Sequence, residues 1–414
     1  MAGPGSSAYA AALHVIQTLR AAGHVGLLAG GCVRDRLLGL TPKDYDVATD
    51  APPPRVKQLF PRARHVGAQF GVMLVRKFGH DVEVATFRAD GPYTDGRHPD
   101  EVRFGTDRED ARRRDFTING MFFDPIAERI IDFVGGQEDL RAGVLRTIGD
   151  PEQRFAEDHL RLLRAVRFAA RLGFTIEPRT LAAVRHLAPK LRAVSAERVW
   201  LELEAILTHA NRLSGWRWMV ETGLYSHVAD GLFGSPGDAE RAAIEARLRS
   251  LQAGSIEPSL ALASLLVGRS EQQVAQIALA LRLSNRLRES VRFLVAGLVR
   301  AQAAATLELA DVKILLADDN WPRLVELMDA ERAAGAPDAP AYQRLSERAA
   351  EIVPHTVAPP PLLDGHVLTE VGMKPGRAMG EVLEAVYRAQ LNERITTRDE
   401  ALVLARQLAD LPEE

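Results

Sequence analysis

The sequence predicts an α+β protein with a small mixed β-sheet in an amino-terminal head, followed by an all-helical neck, body and tail. Apolar segments with strand-like alternation end near Val134. From Asp150-Pro151 onward the pattern is helical, starting with an N-cap aspartate and a proline at the first helical position. A proline-rich stretch then predicts a stiff linker before a helical tail. We expect four parts: head 1–148, neck 149–212, body 213–352, and linker with tail 353–414.

The composition bounds the class of protein. The chain has 414 residues, of which 46% are hydrophobic and 26% charged, as is typical of soluble globular proteins. Its one cysteine, Cys32, excludes a disulfide framework within the chain and suits a reducing compartment, by default the cytoplasm. Because we find neither a signal-like amino terminus nor an apolar run of roughly 18 residues, we expect neither export nor membrane insertion.

The net charge of −3 hides a basic region. Residues 141–200 contain 12 Lys or Arg against 6 Asp or Glu, mostly arginine on predicted helices. Such helices either bind phosphate groups or are simply solvated, and composition leaves both open.

A pair of glycines lies between the first predicted strand and the short helix that follows it. An amphipathic helix at 8–22 and a buried strand at 25–29 precede Gly30 and Gly31, and a short helix at 34–38 follows. Free N–H groups at such a turn favour an anion, although a strand-to-helix turn can also require glycine for its conformation alone.

Two carboxylates follow this turn on the next predicted strand. Side chains two residues apart project from one face of a strand, so Asp44 and Asp46 can share divalent cations. A later strand, 81–88, places Glu83 opposite its apolar neighbours. Glu83 is either a third carboxylate of the site or a solvent-facing residue, depending on which face the aspartates occupy.

The rest of the head follows the same logic. Residues 89–112 lack an apolar period, and we expect a long, functional loop there. The segment 113–123 then passes from basic to apolar sequence. The remaining predicted elements are a helix at 52–60 and strands near 65–66, 70–77 and 129–134.

The neck contains the most informative predicted helix, which runs from Glu157 to Phe168. At about 100° per residue, its apolar side chains fall on one side and its charged side chains on the other. One aspartate among three arginines at steps of three is unusual for a merely solvated face and suits contact with a base. The charged side chains are Asp158, Arg161, Arg164 and Arg167.

These features together indicate metal-dependent nucleotidyl transfer. Two divalent ions held by carboxylates can stabilise both the attacking and the leaving oxygen. Arginines and backbone N–H groups can neutralise a triphosphate.

The motifs also resemble those of the class II tRNA nucleotidyltransferases (CCA-adding enzymes) and the related bacterial poly(A) polymerases. Residues 30–39 with Asp44-x-Asp46 are similar to the family's first motif and residues 113–119 to its second. Glu157-Asp158-x-x-Arg161 is similar to its template motif. The resemblance covers at least Leu27 to Leu207, and residues 361–408 resemble the family's RNA-binding tail.

The resemblance implies a nucleotidyltransferase head with a two-ion magnesium site. Asp44 and Asp46 would hold the catalytic Mg²⁺ ions, with Glu83 as a further candidate ligand. Gly31 and Arg34 would bind the triphosphate. The implied substrates are CTP and ATP, and the implied partner is tRNA, held through its acceptor and T arms.

The resemblance also implies which residues choose the nucleotide. Arg114 would contact it near the ribose, Asp158 and Arg161 would read the base, and Arg164 and Arg167 would complete the pocket. Cytosine and adenine offer an amine beside an accepting ring nitrogen, which suits a carboxylate and a guanidinium. Uracil and guanine present the reverse pattern and would leave polar groups unpaired.

Three departures from the family pattern are visible. His159 stands where proline is expected, and Gly120 where alanine is common. The helical body also lacks the His-Asp dyad of the phosphohydrolase domain that some relatives carry. We therefore predict no second, hydrolytic activity.

Alternative functions remain open within the resemblance. A poly(A) polymerase would use the same head, but residues 66–71 look like the CCA-adding version of the third strand. The loop with Asp95 and Arg97 argues against CC-only addition and leaves A-only addition open. Retention of the catalytic and base-reading residues together disfavours a non-catalytic RNA-binding module. Oligomeric state is not predicted.

Overall fold

The structure, a computed structural model, describes residues 7–66, 71–91, 102–251 and 254–409. Asp95, Arg97 and most of the predicted CCA-type strand, 67–70, lie outside these ranges.

The chain forms two compact units that divide between Ser235 and Pro236. The first unit contains the sheet and the neck helices, and the second is built from helices. The finer division into head, neck, body and tail stays a prediction.

The strands follow one another mostly within the first 132 residues, as the sequence predicts. They are β1 (Gly26–Ala29), β2 (Asp46–Thr49), β3 (Arg64–His65), β4 (Val72–Lys77), β5 (His80–Thr86), β6 (Arg88–Asp90), β7 (Val102–Phe104), β8 (Met121–Asp124), β9 (Arg129–Asp132), β10 (Val144–Leu145) and β11 (Thr175–Ile176).

The first unit also contains α-helices and 3₁₀ turns. They are α1 (Ser7–Ala21), α2 (Gly31–Leu37), α3 (Pro53–Leu59), α4 (Asp107–Arg112), α5 (Gly136–Ala142), α6 (Pro151–Glu157), α7 (Arg161–Leu172), α8 (Pro178–Leu187), α9 (Ala196–Leu207) and α10 (Arg212–Glu221), with 3₁₀ turns at Thr117–Asn119, Ala188–Ala193 and Leu224–Gly231.

The second unit is helical throughout its described length. Its helices are α11 (Asp238–Ser250), α12 (Pro258–Leu266), α13 (Glu271–Ala280), α14 (Asn285–Gln302), α15 (Leu309–Ala317), α16 (Trp321–Ala333), α17 (Ala339–Ala350), α18 (Gly365–Glu370), α19 (Arg377–Leu391) and α20 (Arg398–Leu408), with a 3₁₀ turn at Pro354–Thr356.

Seven strands form one mixed sheet in the order β3-β4-β5-β2-β1-β8-β9. β2 runs parallel to β5 and antiparallel to β1, which also pairs antiparallel with β8. Val47 and Val84 are fully buried on one face, where α1 packs. The predicted α+β class with a small mixed sheet is therefore confirmed.

The expected loop at 89–112 is wrong for most of its described residues. β6 and β7 form an antiparallel ladder, and α4 follows directly. The Thr106 side chain accepts from the Glu109 N–H, and the Glu109 side chain accepts from the Thr106 N–H at 2.8 Å, which is a capping box. Such short elements leave no readable apolar period, so sequence patterns do not reveal them.

The predicted continuous neck helix is also wrong. Helix α6 ends at Glu157, and α7 begins only at Arg161. Asp158 between them has extended backbone, with φ −152° and ψ 104°. Its side chain accepts from the Leu160 N–H at 3.1 Å, a local bond that competes with helix continuation.

The tail has its own small apolar core within the second unit. A capping box between Thr397 and Glu400 begins α20. Among the described residues, no helix combines the length and apolar character needed to cross a membrane. The buried residues of the tail core are Leu363, Leu368, Met379, Val382, Val386, Ile395, Ala401 and Ala405.

Candidate active site

The turn between β1 and α2 brings backbone close to an arginine side chain. Gly30 has φ +71°, a conformation that side chains disfavour, and its N–H donates to the Met121 carbonyl at 3.2 Å. A Cβ at Gly30 would lie 2.8 Å from Nη1 of Arg114. Glycine is therefore required here both by conformation and by the approach of the guanidinium.

The carboxylates of the site stand on two neighbouring strands. Asp46 begins β2, whereas Asp44 lies just before the strand rather than on it. The parallel register aligns Val47 with Val84, so Asp46 and Glu83, one residue earlier on each strand, lie side by side. The face left open by the sequence is thus the shared one, and both carboxylates are on it.

The carboxylate of Asp46 is electrostatically crowded. Burial raises its pKa most, and the negative charges of Glu83 and Asp44 raise it further, to about 6. The positive charge of Arg114 opposes this rise. Within the described ranges, no three His, Cys, Asp or Glu side chains are arranged as a ready-made metal cage. The assignment of Asp44, Asp46 and Glu83 as metal ligands therefore stays a prediction.

Cys32 is a buried side chain near Asp46. Its thiol donates to the Ala29 carbonyl at 3.3 Å, and burial raises its pKa to about 12. It is a protonated core side chain.

Asp110 of the unpredicted helix α4 fixes two arginines. Its Oδ1 accepts from Nε and Nη2 of Arg113 at 2.9 and 2.6 Å, and its Oδ2 accepts from Nη2 of Arg114 at 2.9 Å. Although burial alone would raise the pKa of Asp110, the two guanidinium groups lower it. Arg114 is thereby held beside Gly30 and Asp46.

Arg34 is a buried side chain near Gly30 and Arg114. Its Nη1 donates to Oδ1 of Asn119 at 2.7 Å, and its Nε and Nη2 donate to Asp35 at 2.8 and 2.6 Å. The guanidinium also lies 5.1 Å from the ring centroid of Phe168. Arg34 consequently lines the site from a rigid position.

The helix break in the neck separates the two predicted base-reading residues. Oδ2 of Asp158 accepts from Nη2 of Arg198 on α9 at 2.7 Å. Arg161 instead donates through Nη1 to the Arg154 carbonyl at 2.7 Å and to the carboxylate of Glu157. Each of the two residues is thus held by a different partner.

Arg164 and Arg167 continue along α7 into a buried ionic network. Arg164 donates through Nη2 to Asp115 at 2.7 Å, and Arg167 lies 2.6 Å from Glu202. Burial would raise the pKa of Asp115, but Arg164 and Asn119 lower it to about 2. Arg167 does not line the cleft, in contrast to the role predicted for it.

These residues enclose one cleft of about 460 Å³ in the first unit. Of the predicted site residues, it brings together Gly31, Arg34, Asp46, Arg114, Asp158, Arg161 and Arg164. Asp44 and Glu83 lie outside its lining, beside Asp46. Gly30, of the predicted anion-binding turn, also lines it. Lining residues to which the sequence reasoning assigned no role are Arg113, Asp115, Asn119, Leu160, Phe168 and Arg198.

Some of these unpredicted cleft residues lie in a recognisable sequence motif, and others do not. Asp115 and Asn119 belong to the second family motif, so each could have been assigned a role. Arg198 has no such marker, because its contact with Asp158 spans 40 residues of sequence.

Two protein families match parts of the first unit. Residues 27–146 match the family described as "Poly A polymerase head domain". Residues 173–233 match "Probable RNA and SrmB- binding site of polymerase A".

Full-length relatives extend the similarity along the chain. A CCA-adding enzyme of Lactiplantibacillus plantarum is 33% identical over 97% of this chain and 97% of its own. A CCA-adding enzyme of Geobacillus stearothermophilus is 32% identical over 94% of this chain and 95% of its own.

Solved structures of high coverage share the fold. The Bacillus stearothermophilus CCA-adding enzyme in complex with CTP has a TM-score of 0.74 and 29% identity, covering 98% of both chains. The Thermotoga maritima CCA-adding enzyme complexed with tRNA has a TM-score of 0.62 and 22% identity, covering 96% of this chain and 94% of its own.

Proposed function

The chain belongs to the family of CCA-adding enzymes, and on that premise we propose that it adds C, C and A to the 3′ end of tRNA from CTP and ATP. The observation that carries this proposal is the cleft, whose lining combines Asp46 and Arg114 with Asp158 and Arg161. A centre for phosphate chemistry and a pair suited to reading a base thus share one cavity of nucleotide size.

A two-ion magnesium site fits the carboxylates of the sheet. Asp44, Asp46 and Glu83 offer the oxygen ligands that Mg²⁺ prefers. A cation would also offset the burial and the repulsion from Glu83 and Asp44 that together raise the pKa of Asp46. When bound, the ions supply activation of the attacking 3′-hydroxyl and charge neutralisation for the departing pyrophosphate.

Residues of the protein itself then hold the triphosphate. A new bond forms between the tRNA 3′-oxygen and the α-phosphorus, while the bond from that phosphorus to the β-phosphate bridging oxygen breaks. We assign Gly31 and Arg34 to the phosphates and Arg114 to the region of the ribose. Asp110 keeps Arg114 oriented, which reduces the rearrangement needed when the nucleotide binds.

Base selection follows from hydrogen-bond polarity at the helix break. Asp158 accepts from the exocyclic amine of C or A, and Arg161 donates to the neighbouring ring nitrogen. Within the described part of the chain, the bonds of Arg161 to Arg154 and Glu157 use Nη1, and we assign its Nε and Nη2 to the nucleotide. Uracil or guanine would lose about 1–3 kcal/mol for each unpaired group. Arg164 forms part of the pocket wall, and Arg167, whose Cζ lies 4.5 Å from the ring centroid of Phe168, supports that lining residue.

The partner of this reaction is tRNA. Its acceptor and T arms would lie along the arginine-rich neck and the tail, through phosphate contacts and shape, since A-form helices hide their base edges. A cytoplasmic site of action accompanies this proposal, and fractionation of cells followed by immunodetection tests it.

The product is tested with three tRNA transcripts, which lack CCA, end in the first C, or end in CC. Each is incubated with the protein, Mg²⁺ and CTP, ATP or both, and the 3′ ends are sequenced. Addition of C, C and A to the shortest transcript is expected. Addition of A to the CC transcript alone would indicate an A-adding enzyme, and long A tails would indicate a poly(A) polymerase.

The catalytic assignment is tested with a matched pair of variants. Asp44→Ala with Asp46→Ala should abolish incorporation while tRNA binding, followed by filter retention, is maintained. Asp81→Ala removes an exposed carboxylate two residues from Glu83 and should leave the rate unchanged. Full activity of the double variant would contradict the metal assignment.

A further inference from the structure

Helix α14 has a second stripe of side chains beside the one that packs into the core. Its core face includes Val291, Leu294 and Leu298, which are buried. Side chains at steps of three and four lie on one face of a helix, so a run with that spacing forms a continuous stripe. The second stripe begins and ends with arginine and is aliphatic between them. Its members are Arg292, Val295, Ala296, Val299 and Arg300.

This stripe and the start of α13 line a cavity of about 380 Å³ within the second unit. Val274 of α13 and Val295 of α14 are buried, whereas Val299 is 60% exposed. The volume lies in the range of ligand-binding pockets, and covering exposed aliphatic surface lowers the free energy. The cavity can therefore take an apolar side chain from a partner. Its other lining residues are Arg269, Ser270 and Glu271.

The charge around this cavity is positive. Residues 269–300 contain six arginines against two glutamates. Arg292 and Arg300 stand about two turns apart on α14, which is about 12 Å along the helix axis. Arg292 lies 3.0 Å from Glu271, and because both side chains are mostly exposed, water screens this pair and another carboxylate can replace Glu271. A complementary surface has acidic groups about 12 Å apart with apolar groups between them.

The lining distinguishes between two kinds of acidic macromolecule. A nucleic-acid backbone offers phosphates, and single-stranded bases stack on aromatic rings. The described lining of this cavity has valines and an alanine between its arginines, and no aromatic ring. An amphipathic helix, in contrast, presents apolar side chains at steps of three and four that fill a groove between two helices. The cavity thus suits an acidic amphipathic helix better than RNA.

We infer that the groove between α13 and α14 is a docking surface for an acidic amphipathic helix of a partner protein. Carboxylates two turns apart on that helix pair with Arg292 and Arg300, and an apolar side chain between them enters the cavity beside Val299. The inference is independent of the proposed function, because this docking involves neither a nucleotide nor tRNA.

The test measures binding of three labelled peptides of about 16 residues to the full chain by fluorescence anisotropy. The first has an alanine background, two glutamates separated by about two turns, and leucines between them on the same face. The second replaces glutamate with lysine, and the third scrambles the order of the first. The glutamate peptide should bind with a Kd on the order of 10–100 µM, and the other two at least about 10-fold more weakly. Equal binding of all three, or binding of none, would overturn the inference.

Variants of the stripe test the individual contacts. Val299→Asp places a charge beside the cavity and should weaken binding of the glutamate peptide at least about 10-fold. Arg292→Glu with Arg300→Glu should reverse the preference, so that the lysine peptide binds better. Melting temperatures identify any variant that fails to fold, and Arg300→Glu, at an exposed position, then carries the test with a weakening of about fivefold for the glutamate peptide. Unchanged preference in these variants would overturn the inference.

Arg286→Glu is the matched control. Arg286 is an exposed arginine of the same helix, but it lies about 120° around the helix axis from Arg292. Its reversal should leave the Kd for the glutamate peptide within about twofold. A tRNA transcript lacking CCA, added in excess, should not displace the peptide from the wild type. Displacement would mean that this face binds RNA, and would overturn the inference.

Discussion

Gly30 is the residue at which backbone conformation and nucleotide chemistry meet. Its φ is +71°, and a Cβ there would lie only 2.8 Å from Nη1 of Arg114, so there is no room for a side chain. Gly30→Ala should destabilise the fold by about 1–2 kcal/mol and displace Arg114. We expect the KM for CTP to rise, as measured by steady-state incorporation, together with a lower melting temperature.

Gly39 provides the control for conformational strain alone. It has the same φ of +71°, but a Cβ there would meet nothing within 4 Å. Gly39→Ala should lower the melting temperature without raising the KM for CTP. An equal rise of KM in both variants would contradict the role given to Arg114.

Asp115 provides a pH-dependent prediction. Its pKa is about 2 in the folded protein against an ordinary 3.8, because Arg164 and Asn119 bond the ionised carboxylate. A depressed pKa stabilises the fold above the unfolded value, and this contribution is lost as the pH falls from about 4 to 2. Asp115→Asn should therefore cost about 2 kcal/mol of unfolding free energy at pH 7 and at pH 5, and less below pH 4.

Urea denaturation at several pH values, followed by circular dichroism, measures this difference. Asp81→Asn alters an exposed aspartate that lies 3.4 Å from Arg76, and should stay within about 0.5 kcal/mol of the wild type at every pH. A gap between Asp115→Asn and the wild type that persists undiminished at pH 3 would contradict the assignment.

The carboxylates of the site and their partners show what can be predicted from sequence alone. The alternation around Asp46 and Glu83 was readable, because side-chain direction in a strand follows directly from position. That they share a face required the register of β2 and β5, which no local pattern gives. Partners such as Asp115 and Arg164, 49 residues apart, depend on tertiary packing and could not be paired from spacing.

At the scale of elements, the neck illustrates how a local bond overrides a periodic pattern. The helical period continues through 157–168, so the sequence predicts one helix, whereas Asp158 ends α6. The Asp158 carbonyl accepts from the Arg161 N–H at 3.0 Å, and the Asp158 side chain accepts from Leu160. These bonds form a turn with His159 at its second position, the position where proline is favoured.

This turn suits the proline that the resemblance leads us to expect where this chain has His159. Asp158 already has the extended backbone that a following proline requires, with φ −152°. His159→Pro should preserve activity and raise stability by about 0.5–1 kcal/mol, because it restricts the unfolded chain. Thermal unfolding and CTP incorporation measure both effects.

Ala165→Pro is the matched control within the neck. It places proline inside α7, where it removes a helical hydrogen bond and should cost about 3 kcal/mol or more. If His159→Pro is as destabilising as Ala165→Pro, the turn at Asp158 does not accommodate proline and its backbone differs from the extended form.

At the scale of the whole molecule, the proposed nucleotide site and the proposed RNA-binding tail belong to different compact units. Every residue that lines the nucleotide cleft belongs to the first unit, whereas the tail belongs to the second. Within the second unit, the tail is docked on α15 by charged contacts. Arg388 of α19 donates to Asp311 at 2.8 Å and lies 3.5 Å from Glu308. Tail orientation should therefore affect the RNA substrate and not the nucleotide.

Arg388→Ala tests this separation. Loss of its contacts should loosen tail docking by about 1 kcal/mol and raise the KM for tRNA roughly fivefold, with the KM for CTP unchanged. Arg398→Ala removes the same charge from an exposed position at the start of α20, and so controls for simple loss of attraction to phosphate. Equal effects of the two variants would mean that charge alone matters and that docking does not. A local change in the second unit leaves the ionic partners of Asp158 and Arg161 intact, so the KM for CTP should not change. A rise in the KM for CTP alongside that for tRNA would mean that the tail influences the nucleotide cleft.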